Sequence, residues 1–245
     1  MNPEQGYTVQ ELMAAVISRE IKNGENINVG TLSPLPAAGC LLAREHHAPD
    51  INLAILGSTE LPFTERAEFF DLIQRGGCDL FFLSGAQIDK QANINLQVIG
   101  NYSNPKVRLP GGAGSGMIYY MAGRTILFLN NHSPQNLVEK VDFITAPGSS
   151  IPGVFRRGYP SILVTPLGVF NYDRSREELM LKSIHPGVSE EELDKSTGWP
   201  LDFSEPPSTP PPTEKELTFL RTRVREKMLK IYPKFAGKYL AQNKT

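Results

Sequence analysis

The segment Ser161-Ile-Leu-Val-Thr-Pro-Leu-Gly-Val-Phe-Asn-Tyr172 contains two short apolar runs separated by a single break. Ser161–Thr165 and Gly168–Tyr172 are rich in β-branched and aromatic residues, which favour strands. The dipeptide Pro166-Leu167 between them is typical of a hairpin turn, because proline does not continue a central strand. The segment therefore predicts two neighbouring strands joined by a hairpin.

Toward the N-terminus, helix patterns alternate with strand patterns. Thr8 and Glu11 have the spacing of a capping box, and apolar residues at helical spacing follow them. Ile27–Gly30 predicts a strand, Pro34–His47 a helix and Asn52–Leu56 a buried strand. Together with the hairpin, this alternation predicts an α/β fold with a mixed sheet flanked by helices.

The middle of the chain repeats both patterns. Five further strands are predicted, at Leu80–Leu83, Ile94–Ile99, Thr125–Asn130, Asp142–Thr145 and Leu179–Ile184. Three further helices are predicted, at Phe63–Gln74, Gly116–Met121 and Ser189–Ser196.

The C-terminal part begins with a proline-rich run. Glu205–Pro212 holds five prolines in eight residues, a composition that favours extended backbone and excludes helix. Thr213 and Glu216 then form a second capping-box pattern before an apolar helical stripe. We predict one domain over residues 1–204. Residues 205–245 are predicted to form a proline-rich linker and a C-terminal helical arm that packs on the body or on a partner chain.

Composition excludes several classes of function. The 245 residues carry 25 Lys plus Arg against 26 Asp plus Glu, a net charge of -1, which argues against a strongly basic nucleic-acid binder and gives no hint of an anionic membrane partner. The apolar runs are of strand length, far short of the ~20 residues that span a bilayer. Cys40 and Cys78 cannot form a disulfide framework or a four-thiolate zinc site, and no histidine has metal-ligand companions. These features predict a soluble cytoplasmic protein without a bound metal.

Leu109-Pro-Gly-Gly-Ala-Gly-Ser-Gly116 is the sharpest local motif. Four glycines in six positions let backbone amides approach a ligand closely. No lysine stands at the spacing of a nucleotide-binding P-loop. On the residues alone, a ligand-binding loop and a plain tight turn both remain open.

A second motif is Gly85-Ala-Gln-Ile-Asp89 with Asn93-Ile-Asn95, directly after a hydrophobic strand. Amide side chains at a strand end can orient a carbonyl group or donate to a developing oxyanion, which makes Gln87 and Asn95 binding candidates. Turn chemistry is the alternative, since Asp and Asn hydrogen-bond their own backbone. The residues alone favour that alternative.

In order and spacing, these motifs resemble the β-type subunit of two-subunit family I coenzyme A transferases, the group of the glutaconate and 3-oxoadipate transferases. The resemblance runs from about residue 8 to residue 230. The stretches that carry it are Val29-Gly30-Thr31, Ala48-Pro-Asp50, Gly85–Asp89 with Asn93–Asn95, Pro105–Gly114, Lys140–Gly148, Val164-Thr165 with Gly168–Phe170, and His185–Gly187 with Thr197–Trp199.

The resemblance implies an α/β fold, an α-type partner subunit in a heterodimer or heterotetramer, and an active site between the two subunits. The substrate is an acyl-CoA thioester, so coenzyme A enters with the substrate and no cofactor is permanently bound. A glutamate of the β-type subunit attacks the thioester in true transferases. The glycine-rich loop is expected to line the site, with Gly111, Gly112, Ala113 and Gly114 as the binding residues.

One position departs from the family pattern. Counting from Ala48-Pro-Asp50 through the following strand places Leu56, which has no nucleophile, where the glutamate belongs. Glu60 lies four residues further and replaces the glutamate only if the loop shifts. Gln91-Ala92 stands where the family has a glycine before Asn93, a milder change.

The departure leads to three hypotheses about function. The first is acyl-CoA chemistry without a glutamyl-CoA intermediate, by a hydrolase, lyase or decarboxylase whose acid/base group comes from the partner. The second is a genuine CoA-transferase that uses Glu60 or a partner residue as nucleophile. The third is a non-catalytic protein that binds CoA and stabilises its partner.

Overall fold

The computed structural model describes residues 6–59, 61–63, 65–204 and 206–240. The chain divides into two compact units. The first comprises residues 1–68, 78–82 and 210–245, and the second comprises residues 69–77 and 83–209. Within the described ranges, no helix combines the length and apolar character needed to cross a membrane.

The first unit contains three parallel strands in the order β2-β1-β3. Asn26 pairs with Asn52 and Ile27 pairs with Leu80. The predicted opening of helix, strand, helix, strand is confirmed. The elements are α1 (Val9–Arg19), β1 (Asn26–Val29), α2 (Pro34–His46), β2 (Asn52–Ile55), β3 (Leu80–Leu83), α6 (Glu214–Phe219), a π-helical turn (Leu220–Val224), α7 (Arg225–Ile231) and α8 (Pro233–Tyr239).

Two capping boxes fix the C-terminal helices against α1. The Glu11 amide donates to Thr8 Oγ1 at 3.1 Å, and the Glu216 amide donates to Thr213 Oγ1 at 3.2 Å, as predicted. Each capping glutamate also accepts from an arginine of the other helical segment. Arg221 Nε lies 2.7 Å from Glu11 Oε1, and Arg19 Nη2 lies 2.7 Å from Glu216 Oε2. These two reciprocal, largely buried ion pairs hold the arm on α1.

Arg19 also holds the end of the proline-rich run. Its guanidinium donates to the carbonyl oxygens of Pro210 and Pro211, both at 2.8 Å. Packing of the arm on the body is thus observed for residues 210–240. The division of the chain into a domain over 1–204 and an arm over 205–245 stays a prediction.

The second unit contains a mixed sheet in the order β8-β9-β10-β11. β8 and β9 are parallel, whereas β9, β10 and β11 are antiparallel neighbours. The predicted hairpin is confirmed by the pairing of Val164 with Val169, and so is the mixed α/β fold. The elements are α3 (Arg66–Gln74), β4 (Gln87–Ile88), β5 (Ile94–Asn95), β6 (Val98–Asn101), β7 (Asn104–Arg108), α4 (Ser115–Met121), β8 (Arg124–Phe128), β9 (Pro160–Val164), β10 (Gly168–Asp173), β11 (Glu178–Ile184) and α5 (Glu190–Ser196).

Three details differ from the sequence prediction. Asp142–Thr145 is not a strand, because its polar groups serve loops: the Asp142 carboxylate accepts from the Gly100 amide at 2.8 Å. The predicted single strand Ile94–Ile99 is two strands, β5 and β6. The β6–β7 hairpin was not predicted, since β7 is largely exposed and lacks an apolar alternation.

Gly148 is required by close packing, and this gives the first prediction. A Cβ at this position would lie 2.0 Å from the carbonyl oxygen of Gln91. We expect Gly148→Ala to lower the free energy of unfolding by about 3 kcal/mol or more, because backbone has to move to relieve the contact.

The matched control for Gly148→Ala is Gly237→Ala in α8, where an added Cβ meets no atom within 4 Å. That variant should be neutral or stabilising by up to about 1 kcal/mol through helix propensity. Urea unfolding of both variants checks the prediction, and equal stability of the two would contradict it.

Candidate active site

The turn after β2 presents Leu56 at the carboxyl end of a parallel strand. The Leu56 amide donates to the Val29 carbonyl at 2.9 Å, and the Ser58 amide closes the turn on the Ile55 carbonyl at 3.0 Å. Gly57 has φ 99°, a left-handed conformation that favours glycine. Leu56 is half-buried, and its side chain brings no ionisable group to this strand end. Glu60, the alternative nucleophile, lies outside the described residues.

The glycine-rich loop of the second unit is anchored at its entry by two backbone hydrogen bonds. The Leu109 amide donates to the Gln97 carbonyl and the Gly111 amide to the Leu96 carbonyl, both at 2.9 Å. Gly111 and Gly114 have φ of 100° and 85°, which favour glycine. The Gly111 amide is therefore engaged inside the protein, and Gly111 shapes the loop.

The next three residues differ from Gly111. Among the described residues, none accepts a hydrogen bond from the amides of Gly112, Ala113 or Gly114. Ala113 and Gly114 are exposed, and Gly112 is partly exposed. Ala113 holds φ 44°, a conformation that is unfavourable for alanine by about 1 kcal/mol. The loop thus presents three consecutive amides that are free to bond a ligand.

Packing also explains two of the glycines. A Cβ on Gly112 would lie 2.7 Å from Thr145 Cγ2, and a Cβ on Gly114 would lie 2.5 Å from Phe70 Cε1. Thr145 cannot easily turn away, because its hydroxyl accepts from the Leu96 amide at 2.9 Å. The motif therefore serves close packing as well as amide exposure, which combines the two interpretations left open by the sequence.

Gln87 and Asn95 lie opposite each other in the β4–β5 pair. Asn95 Nδ2 donates to Gln87 Oε1 at 2.7 Å and to the Val98 carbonyl at 2.6 Å. Gln87 Nε2 donates to Asp142 at 3.0 Å, and Asn95 Oδ1 accepts from the Gln97 amide at 3.0 Å. Both side chains are buried in this network. The geometry gives them a supporting role, since they fix the segment that anchors the glycine-rich loop.

Ser115 was not singled out from the sequence. Its side chain is 3% exposed, and its hydroxyl has no hydrogen-bond partner among the described residues. A buried hydroxyl without a partner is unfavourable by roughly 1–3 kcal/mol. The only signal in the sequence was its place between two glycines of the loop.

A buried polar network contains two histidines of the second unit. His185 Nε2 lies 2.9 Å from the Thr165 carbonyl, so this nitrogen carries the hydrogen, and Nδ1 accepts from Thr209 Oγ1 at 2.9 Å. His132 lies between the hydroxyls of Thr165 and Thr197, at 2.8 and 3.0 Å. Burial lowers the pKa of each histidine to about 4, and His185 adds to the effect at His132. Both rings are therefore neutral near pH 7.

This network makes stability depend on pH. In the unfolded chain the histidines bind protons below about pH 6.5, whereas in the folded protein they bind them only near pH 4. The unfolded state therefore gains protons first as the pH falls, and stability is lost between pH 6.5 and pH 4, by at most roughly 3 kcal/mol per histidine. We expect urea unfolding at pH 5 to show a lower midpoint than at pH 7.

The pH dependence can be assigned with two variants. His185→Gln should reduce the difference between the two pH values, whereas the exposed His47→Gln should leave it unchanged. Equal pH dependence in the wild type and in His185→Gln would contradict the assignment.

No cluster of three or more His, Cys, Asp or Glu side chains suited to a metal ion occurs in the described part of the chain. Cys40 and Cys78 are buried thiols that form no disulfide.

Known proteins match the chain over most of its length. The family described as Coenzyme A transferase matches residues 54–195. The B component of 3-oxoadipate CoA-transferase from Pseudomonas knackmussii is 35% identical over 243 residues, which cover 88% of this chain and 92% of that protein.

Two solved structures are similar to the chain over nearly its whole length. Glutaconate coenzyme A-transferase from Acidaminococcus fermentans has a TM-score of 0.79 at 25% identity, covering 97% of this chain and 98% of that chain. The decarboxylase AibA/AibB has a TM-score of 0.74 at 26% identity, covering 95% and 97%. The resemblance carried by the sequence motifs is confirmed by a family match, a sequence relative and a shared fold, and this chain belongs to the coenzyme A transferase family.

Proposed function

We propose that this chain is the β-type subunit of a heteromeric enzyme that acts on acyl-CoA thioesters without a glutamyl-CoA intermediate. The single observation that carries the proposal is Leu56, which follows β2 where the family pattern requires the nucleophilic glutamate. A leucine side chain neither attacks a thioester nor moves a proton. The reaction class is hydrolysis, decarboxylation or another lyase reaction of the acyl group.

The exposed amides of Gly112, Ala113 and Gly114 are the groups of this chain that we assign to the thioester oxygen. As negative charge develops on that oxygen, hydrogen bonds from fixed amides stabilise it without reorganising solvent. Gly111, Gln87 and Asn95 hold the loop in place through the hydrogen bonds described above. The Ser115 hydroxyl, buried next to these amides without a partner, is available as a further donor.

Leu56 has a different role in this proposal. An apolar side chain beside the reacting carbon excludes water and disfavours charge. It thereby raises the pKa of a neighbouring carboxyl group toward neutrality, where such a group transfers protons most effectively. The acid/base group itself comes from the partner.

The proposed partner is an α-type subunit in a heterodimer or heterotetramer. The similar transferase chain is named as one lettered component of its enzyme, and the similar decarboxylase is named by two components, AibA and AibB. Coenzyme A enters as part of the substrate, and no permanently bound cofactor is part of the proposal. A cytoplasmic location remains part of it as well.

A second candidate is genuine CoA transfer. The observation in its favour is the 35% identity to a chain named as part of a 3-oxoadipate CoA-transferase. This alternative needs Glu60 or a residue of the partner as nucleophile. The third candidate, a non-catalytic CoA-binding protein, has no specific observation in its favour.

Trapping of the covalent intermediate tests the proposal. The chain is co-expressed with its α-type partner, mixed with a panel of acyl-CoAs, quenched in acid and weighed intact by mass spectrometry. We expect no mass gain on this chain while the acyl-CoA is consumed. A gain equal to coenzyme A would establish the transferase alternative, and binding of acyl-CoA without any consumption would establish the non-catalytic one.

A further inference from the structure

A cavity of about 470 Å³ lies in the first unit, between the edge strand β2, α2 and the C-terminal arm. Its volume is in the range of small-molecule sites. Leu53 and Ile55 form an apolar wall, and residues 57–59 of the turn after β2 close one end. The opposite wall belongs to the arm, whose role nothing else in the molecule explains.

The cavity is separate from the Leu56 side chain. Successive side chains of a strand point to opposite faces of the sheet. Because Leu53 and Ile55 line the cavity, Ala54 and Leu56 point to the other face. An occupant of the cavity therefore approaches the reacting strand end past Gly57, from the face that Leu56 does not occupy.

The charge of the cavity is positive. Four cationic and two anionic side chains line it, a net charge of plus two: Arg44, Arg223, Lys227 and Lys230 against Glu45 and Glu226. Glu45 lies 2.5 Å from Lys227 Nζ and 3.3 Å from Arg223 Nη1. The hydrogen bond from Lys227 and the two positive charges hold the pKa of Glu45 below its ordinary value, although burial opposes the shift. Glu45 thus stays ionised and is satisfied by two cations.

The remaining cations are not satisfied in this way. Arg44, half-buried, and Lys230, exposed, form no hydrogen bond or ion pair with any residue in the described ranges. Arg223 lies in the π-helical turn, an irregularity that is frequent at functional sites. The cavity therefore combines an apolar wall with two unsatisfied cations at its rim.

We infer that this cavity binds the anionic end of the acyl-CoA substrate, with Arg44 and Lys230 pairing the anionic oxygens. The inference rests on the proposed function for the identity of the substrate. The shared ligand chemistry is an organic body that carries a phosphate or a carboxylate, the groups that Arg and Lys bind best. Two parts of an acyl-CoA supply it: the phosphorylated nucleotide end, or a carboxylate at the far end of the acyl chain.

Equilibrium binding to the assembled pair, measured by calorimetry, distinguishes the two sources. The phosphate probe is 3′-phosphoadenosine 5′-phosphate, with adenosine as its uncharged counterpart. The carboxylate probe is glutarate, with butyramide as its uncharged counterpart. We expect one charged probe to bind, and its Kd to rise at least tenfold in the double variant Arg44→Gln, Lys230→Gln. A tenfold effect corresponds to one lost charge-assisted contact.

Two control variants keep the result interpretable. Lys234→Gln removes an exposed lysine one turn further along that does not line the cavity, and it should leave the Kd unchanged. The double variant Arg44→Lys, Lys230→Arg keeps both charges and should retain binding. Thermal unfolding of each complex confirms that the fold is intact.

The inference is overturned if neither charged probe binds at millimolar concentration, or if Arg44→Gln, Lys230→Gln binds as Lys234→Gln does. Its failure is distinguishable from failure of the proposed function. Acyl-CoA turnover without any effect of the cavity variants refutes the cavity alone. Probe binding that depends on Arg44 and Lys230, in a complex that consumes no acyl-CoA, refutes the proposed function alone.

Discussion

Leu56→Glu in the assembled pair is expected to produce a covalent CoA adduct that the wild type does not form. A carboxylate at the end of β2 can attack the thioester carbonyl and release the CoA thiolate, which leaves an acyl-glutamyl anhydride. The thiolate then attacks the glutamyl carbonyl, releases the free acid and forms the glutamyl thioester. Intact-mass spectrometry of this chain should therefore change from no adduct to a measurable fraction that carries coenzyme A.

The matched control for Leu56→Glu is Leu56→Gln, which has the same length and no nucleophile. It should form no adduct, and both variants should lose the native activity because each places a polar group where an apolar one is needed. Absence of an adduct in Leu56→Glu, in a complex that still assembles and binds acyl-CoA, would show that Leu56 does not occupy the position of the family glutamate.

Gly112→Ala is expected to lower kcat about 100-fold in the assembled pair. The new Cβ would lie 2.7 Å from Thr145 Cγ2 and 3.0 Å from Ser115 Oγ. Thr145 is held by the Leu96 amide, and the Leu96 carbonyl in turn holds Gly111, so the loop itself has to move. Loss of one fixed donor to a developing oxyanion typically lowers kcat by about 10² to 10³.

Steady-state kinetics together with urea unfolding separate the loss of an amide donor from general damage. The free energy of unfolding should fall by only about 1–3 kcal/mol, as for other overpacked sites. Gly116→Ala is the control in the same segment, since its Cβ would lie 3.3 Å from the Thr145 carbonyl, a contact that a small shift relieves. A kcat in Gly112→Ala within threefold of that in Gly116→Ala would contradict the assignment of these amides to the reacting oxygen.

The fold was largely predictable because its signals are local. Thr8 with Glu11, and Thr213 with Glu216, announced both capping boxes, and the apolar runs of β3 and β9 are buried as strands should be. What the sequence missed depends on contacts between distant segments. The reciprocal pairing of Arg19 with Glu216 and of Arg221 with Glu11 joins residues about 200 positions apart, which no local pattern encodes.

The candidate site was predictable only in part, for the same reason. The exposed amides of Gly112–Gly114 follow from the glycine spacing. The side chains of Gln87 and Asn95, by contrast, are bonded inside the protein, which becomes visible only when Asp142 and Val98 are brought beside them. Ser115 and the cavity beside β2 were missed, because burial without a partner and a gap between elements are properties of the packed structure. The role of Gln87 and Asn95 in binding remains a prediction.

Product analysis of the assembled pair tests the central claim most directly. The chain is co-expressed with its α-type partner and incubated with a panel of acyl-CoAs, with and without an acceptor carboxylic acid, and the products are identified by mass spectrometry. The account predicts the same products in both arms, with water added to the acyl group or carbon dioxide lost while coenzyme A stays attached. A new CoA ester that forms only in the presence of the acceptor would contradict it, and would show that Leu56 does not prevent transfer.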